Sequence, residues 1–176
     1  MKYFAYGSNM SLRRLQQRVP SARRLALAML PGHQMRFHKR GRDGSAKCDA
    51  FATEPVDAPL FGALFQLDPQ HKPQLDLAEG LGVGYRQKIV QVQCQQGHWH
   101  RAFTYVALQL DPTLQPYHWY LEHVLIGARE SGLPPGYLSS LQQVMSVEDP
   151  DPLRSQRERS IYRPSELTRV DATRRA

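Results

Sequence analysis

Lys2-Tyr3-Phe4-Ala5-Tyr6-Gly7-Ser8-Asn9-Met10-Ser11 opens the chain. The aromatic, β-prone run from Lys2 to Tyr6 stops at a glycine, which reads as a strand feeding a turn. Ser11 can cap a short helix, Leu12 to Arg18, which Val19-Pro20 ends. Gly7 lacks a Cβ and can take dihedrals closed to other residues, so the turn can present successive backbone N–H groups on one side. Such a concavity binds an anion, for instance a carboxylate. An ordinary Gly-Ser-Asn turn is written with the same letters.

Working outward, Ala22 to Leu30 and Gln34 to Lys39 read as strands on either side of Pro31-Gly32. Cys48 to Thr53 and Leu60 to Leu67 follow, separated by Pro55 and Pro59. Asp68-Pro69 starts a short helix, which Pro73 is expected to disturb and Gly80 to end. Tyr85 to Cys94 and His98 to Leu108 form a hairpin around Gln95-Gln96-Gly97. Pro116 opens a helix with Tyr117, Tyr120, Leu121, Val124, Leu125 and Ala128 at helical spacing, and Gly132 ends it. A second short helix runs from Tyr137 to Val144. Six or seven strands without regular βαβ alternation predict an α+β fold, a small β-barrel or curled sheet with short flanking helices. One domain is expected over residues 1–146. Residues 147–176 are charged and lack apolar periodicity, so a loosely packed or disordered tail is expected there.

The 176 residues are 41% hydrophobic and 22% charged, an ordinary composition for a soluble domain. No run approaches the roughly 20 apolar residues of a membrane span, and the N-terminus does not read as a secretory signal. Two cysteines, Cys48 and Cys94, cannot build a disulfide framework, so a reduced, cytoplasmic chain is expected. The net charge of +7 is uneven: residues 1–50 hold eleven Lys/Arg against two acids. A basic face of this kind can attract a small anion or nucleic acid, or be merely solvated.

Few residues suit chemistry. There is no Gly-x-Ser-x-Gly elbow for a serine nucleophile. His98-x-His100 could place two imidazoles on one strand face, but no nearby carboxylate or cysteine pair completes a metal site. His118 and His123, five apart on a helix, do not share a face. Glu79 stands at the C-terminal end of its helix, where the dipole disfavours a carboxylate and so favours the neutral acid, a useful property in a proton shuttle. Tyr85, Tyr105 and Tyr120 can donate hydrogen bonds to a polarised carbonyl or a carboxylate, or serve as buried structural tyrosines.

Taken in order, Tyr3-Phe4-Ala5-Tyr6-Gly7-Ser8-Asn9-Met10, Leu60-Phe61-Gly62-Ala63-Leu64-Phe65, and Leu75-Asp76-Leu77-Ala78-Glu79-Gly80 with Tyr85 shortly after resemble the γ-glutamylcyclotransferase family. The strand ending in Tyr105 and the segment Tyr120 to Gly127-Ala128-Arg129-Glu130-Ser131-Gly132-Leu133-Pro134 are similar to its later parts. The likeness spans about residues 2–145. It implies a barrel core with a pocket between the first turn and the Glu-bearing helix. It implies that Tyr3, Phe4, Ala5, Tyr6, Gly7 and Ser8 bind substrate while Asn9 supports the loop, that Glu79 is the general acid/base, and that Tyr120 and Tyr105 face the pocket. The implied reaction converts a γ-glutamyl amino acid or amine to 5-oxoproline and a free amine, with no metal or cofactor. The implied partner is a small-molecule γ-glutamyl substrate rather than nucleic acid or membrane, and a homodimer is compatible. A γ-glutamyl acyltransferase or related γ-glutamyl-processing enzyme of the same fold, and a non-catalytic binding module with a basic face, remain open alternatives.

Overall fold

The computed structural model describes residues 1–53 and 59–171. Among the described residues seven strands form, in chain order β1 (Lys2–Ala5), β2 (Arg23–Leu30), β3 (His33–Arg40), β4 (Ala46–Ala52), β5 (Leu60–Gln66), β6 (Tyr85–Cys94) and β7 (Trp99–Ala107). Five of them close a barrel in the order β1-β5-β2-β6-β7, and β3 and β4 pair separately as a two-stranded ribbon. All pairings are antiparallel except the closing one, where β1 meets β7 in parallel at Tyr3↔Phe103. Closure hides the edges of β1 and β7 from other chains. On the barrel strands Phe4, Leu60, Leu64, Phe65 and Val92 are each fully buried in the hydrophobic core, which packs on both faces of the barrel wall. Every such side chain contributes roughly 1.5–3 kcal/mol of transfer free energy.

The helices are α1 (Leu12–Arg18), α2 (Lys72–Glu79), α3 (His118–Glu130), α4 (Pro135–Gln142), α5 (Pro152–Arg159) and α6 (Pro164–Asp171). Short 3₁₀ turns at Ser8–Met10 and Pro69–His71 precede α1 and α2. The Ser11 hydroxyl caps α1, and Asp68 caps the turn that leads into α2. Pro73 lies in the first turn of α2, where its missing N–H costs nothing, so it begins the helix instead of disturbing it. Gly80 ends α2 in the left-handed conformation, at φ 64°. Helix α3 is the central packing element, with nearly its whole length buried. Gly127 lets it approach the 3₁₀ turn so closely that a Cβ there would lie 2.3 Å from the Ser11 nitrogen. Among the described residues no helix is long and apolar enough to cross a membrane.

The expected loose tail from residue 147 is not what the described residues show. Helix α5 is amphipathic in charge rather than in apolar content. Arg159 makes a forked ion pair with the buried Glu122 of α3 at 2.6 and 2.8 Å, and Arg154 pairs with the buried Asp149. Glu158 accepts from Arg14 at 2.5 Å, and Tyr162 is buried between His123 and Ser11. Polar partners do the docking here, which an apolar periodicity does not register. The last residues, 172–176, lie outside the described residues, as does the Pro55 expected between two strands.

Candidate active site

Two local stops place the central groups. Strand β1 ends at the Tyr6–Asn9 turn, and α2 ends at Glu79 where Gly80 turns the chain away. Glu79 Oε1 accepts from Asn9 Nδ2 at 2.8 Å and from Arg18 Nη1 at 2.9 Å. The same Arg18 nitrogen reaches Asn9 Oδ1 at 3.0 Å, and Asn9 Nδ2 also lies 3.1 Å from the Tyr3 hydroxyl. Asn9 is therefore a clamp: its amide donates to the acid and to Tyr3, while its carbonyl receives Arg18. The Glu79 side chain is 13% exposed, so these contacts act in a poorly hydrated place. Arg18 was not legible as a site residue. It closes the last turn of α1, sixty-one residues before its partner.

Around the acid, Tyr3, Tyr6, Tyr85, Tyr105 and Tyr120 line a recess with Gly7, Ser8 and Cys48. Burial raises the pKa of all five phenols, so they act as neutral hydrogen-bonding groups. Three have committed their protons: Tyr6 donates to the Tyr105 carbonyl at 2.5 Å, Tyr85 to the Cys48 carbonyl at 2.8 Å, and Tyr105 to Asp76 at 2.5 Å. The Tyr3 oxygen accepts from Asn9, and the Tyr120 oxygen accepts from the Cys48 N–H at 2.9 Å. Tyr120 also contacts the Cys48 thiol, a weak acceptor that a substrate oxygen can replace. Burial pushes the Cys48 thiol up to about 12, which keeps it protonated and a poor nucleophile.

The remaining expected site residues are placed unevenly. Phe4 and Ala5 are buried in the barrel, and the Phe4 carbonyl accepts from Thr104 at 2.8 Å, so their side chains are structural. Gly7 has φ −108° and needs no left-handed conformation. Its requirement is space, since a Cβ there would sit 3.0 Å from Cys48 Cβ and 3.4 Å from the Tyr120 oxygen. Within the turn the Gly7 and Ser8 carbonyls accept from Met10 and Ser11. His100 Nδ1 takes the Lys2 ammonium at 2.9 Å, and no group of three ligating side chains suited to a metal ion occurs among the described residues.

Beyond Glu79 the recess opens into a larger cleft of about 280 Å³. Ser8, Glu79, Tyr85 and Tyr120 belong to both spaces, so the acid stands between them. Arg14 and Arg18 from α1 meet Lys39, Arg40, Arg42 and Lys47 from the β3–β4 ribbon at this cleft, against only Asp43 and Glu79. The basic excess of the first fifty residues thus converges in part on one opening. Arg24 and Arg13 lie elsewhere, paired with Glu130 and Glu166.

A small closed barrel, with one shielded carboxyl between a tyrosine-lined recess and a cationic cleft, defines a compact α+β protein with an enzyme-like pocket. Comparison with known proteins gives the class a family. Residues 59–141 match the AIG2-like family. The chain is 29% identical over 147 residues to a human protein named gamma-glutamylcyclotransferase, covering 81% of this chain and 77% of that one, and 28% identical over 146 residues to the bovine protein of that name, with the same coverage. A solved structure named gamma-glutamyl cyclotransferase superposes with TM-score 0.80 over 98% of each chain at 20% identity, so the shared fold extends through the C-terminal helices. A human protein solved as an uncharacterized one gives TM-score 0.76 at 25% identity, covering 83% of this chain and 88% of that one. In sequence the chain is thus similar to gamma-glutamylcyclotransferases over most of its length, and in fold to a gamma-glutamyl cyclotransferase.

Proposed function

We propose that the protein converts γ-glutamyl amides to 5-oxoproline and a free amine, with Glu79 as the general acid/base. The observation that carries the reading is the Asn9–Glu79–Arg18 clamp, which fixes one carboxyl group beside a tyrosine-lined recess. The substrate's α-carboxylate lies against the backbone N–H groups of the Gly7–Ser8 turn, and its α-ammonium faces Glu79. Glu79 takes a proton from that ammonium. The freed amine attacks the γ-carbonyl carbon and closes a five-membered lactam. Glu79 passes that proton to the leaving nitrogen as the amide C–N bond breaks, then relays the ring nitrogen's second proton to the departing amine, which leaves as an ammonium, so atoms balance without water. In this reading Tyr3 and Tyr120, which line the recess, donate to the oxygen on which charge develops. The nucleophile is already in the substrate, and holding it in ring-closing geometry is worth up to about 7–11 kcal/mol in well-oriented cases. The protonated Cys48 supports this route over an acyl-enzyme on sulfur. With both cysteines free, the reading suits a reducing compartment such as the cytoplasm.

The test is a panel of γ-glutamyl amides scored for 5-oxoproline, run with wild type and with Glu79→Gln. Wild type should release 5-oxoproline, and a folded Glu79→Gln protein should turn over at least about 10²-fold more slowly. Near-wild-type release by the variant would remove Glu79 from the chemistry.

A further inference from the structure

Lys39 is the least expected side chain beside the site. It is only 6% exposed, it lines the cleft, and among the described residues no carboxylate lies within ion-pair distance of it. Its ammonium rests 4.9 Å from the centre of the Tyr85 ring. Burial pushes its pKa down, while the more distant Glu79 and Asp43 carboxylates act the other way. The buried Arg14 and the half-buried Arg18 and Lys47 of the cleft are each paired: Arg14 with Glu158, Arg18 with Glu79, and Lys47 with Asp43 at 2.7 Å.

The backbone places Lys39 there by a specific device. The pairing of β3 with β4 slips between Phe37 and Lys39, so that His38 is the extra residue of a bulge. A bulge re-aims the side chains that follow it. This one is pinned from both sides, with His38 Nε2 2.9 Å from Asp49 Oδ2 and Asp49 Oδ1 accepting from the Ala107 N–H at 2.7 Å. The slip sets Lys39 directly opposite Lys47. Lys47 is already paired with Asp43, so of the two facing ammonium groups Lys39 is the one without a carboxylate among the described residues. Arg42 adds to the same wall, its guanidinium lying against Gly80 just beyond the acid.

We infer that Lys39 is a specificity-determining residue that receives a carboxylate on the leaving half of the substrate, so that the enzyme favours γ-glutamyl derivatives of amino acids and peptides over those of simple amines. This rests on the proposed ring-closing activity, with the glutamyl half in the recess and the leaving half in the cleft. Glu79, shared by both spaces, then stands at the bond that breaks.

The experiment compares γ-glutamyl-alanine with γ-glutamyl-ethylamine, which lacks only the carboxylate, and with γ-glutamyl-alaninamide, which keeps its size without charge. Rates of 5-oxoproline release are measured with wild type, Lys39→Met and Lys39→Arg. Wild type should prefer the alanine compound in kcat/KM by about 10- to 100-fold, the range of one hydrogen bond between charged groups. Lys39→Met should collapse that ratio towards one through a higher KM for γ-glutamyl-alanine, and Lys39→Arg should restore part of it. Wild type that releases 5-oxoproline equally well from all three would overturn the role of Lys39 and leave the activity standing, whatever the folding of the variants. A Lys39→Met protein, folded by circular dichroism, that retains the wild-type ratio would do the same. No 5-oxoproline from any of the three would overturn the activity itself, and this inference with it.

Discussion

Asn9 holds three partners with one small amide, and each contact does different work. Its bond to Glu79 fixes the acid, its bond to Tyr3 fixes the recess wall, and its carbonyl anchors Arg18. Asn9→Ala removes all three while leaving the Glu79 carboxyl in place. Displacement of a reacting group by about 1 Å can cost 10²-fold, so kcat should fall by up to about that factor with a smaller change in KM. Steady-state kinetics on γ-glutamyl-alanine would check it, and an unchanged kcat would show that the clamp is dispensable. Glu79 and the first turn were legible in sequence because both are marked by local signals, a glycine that stops a helix and a glycine that stops a strand. Arg18 and Lys39 were not, because their roles arise from partners far along the chain and from a strand bulge. The reason for glycine at position 7 was also hidden. It lies in the approach of Cys48 and Tyr120, which no turn rule reveals.

Elements with local punctuation were read closely. Helix α1 and strand β6 begin and end where their caps and alternation place them, whereas α5 and α6 were missed. Helix α5 buries no residue of its own, and its hold on the molecule is ionic. Glu158→Ala should therefore cost about 1.5–3 kcal/mol, the worth of hydrogen bonds to a charged group, since Arg14 is left buried without its carboxylate. Urea unfolding measures this directly, and a change within a few tenths would mean that α5 is held by something else. The contact of α3 with the first turn is steric instead. Gly127→Ala would press a methyl group to 2.5 Å from the Met10 carbonyl carbon, against backbone that cannot yield. Overpacking of this kind costs about 1–3 kcal/mol, and here it should lower activity together with the melting temperature because the displaced turn carries the site. A more stable Gly127→Ala protein would show that the helix and turn have room to part.

At the scale of the whole molecule, acid should loosen the structure through the cluster that ties its two ends. Burial lowers the His123 pKa from 6.5 to about 3, so the native ring stays neutral while the unfolded chain takes up a proton. Burial pushes Glu158 upward, but contacts with His123 and Arg14 bring it from 4.5 to about 2. Each group binds more protons unfolded than folded between its two values, so stability is lost as pH falls through those windows. The melting temperature should drop from pH 7 towards pH 4, and His123→Gln should flatten the part of the drop that begins near 6.5. Parallel curves for the two proteins would place the acid sensitivity elsewhere. The parallel contact that closes the barrel has a consequence for the birth of the protein. The partner of Tyr3, Phe103, is translated 100 residues after it. At about 5–20 residues per second that is a delay of about 5–20 s. Throughout it the aromatic N-terminal strand stays without one neighbour and open to capture by chaperones. The nascent chain thus carries the binding turn long before it can use it, and a translational pause ahead of β7 would lengthen that exposure without changing the finished enzyme.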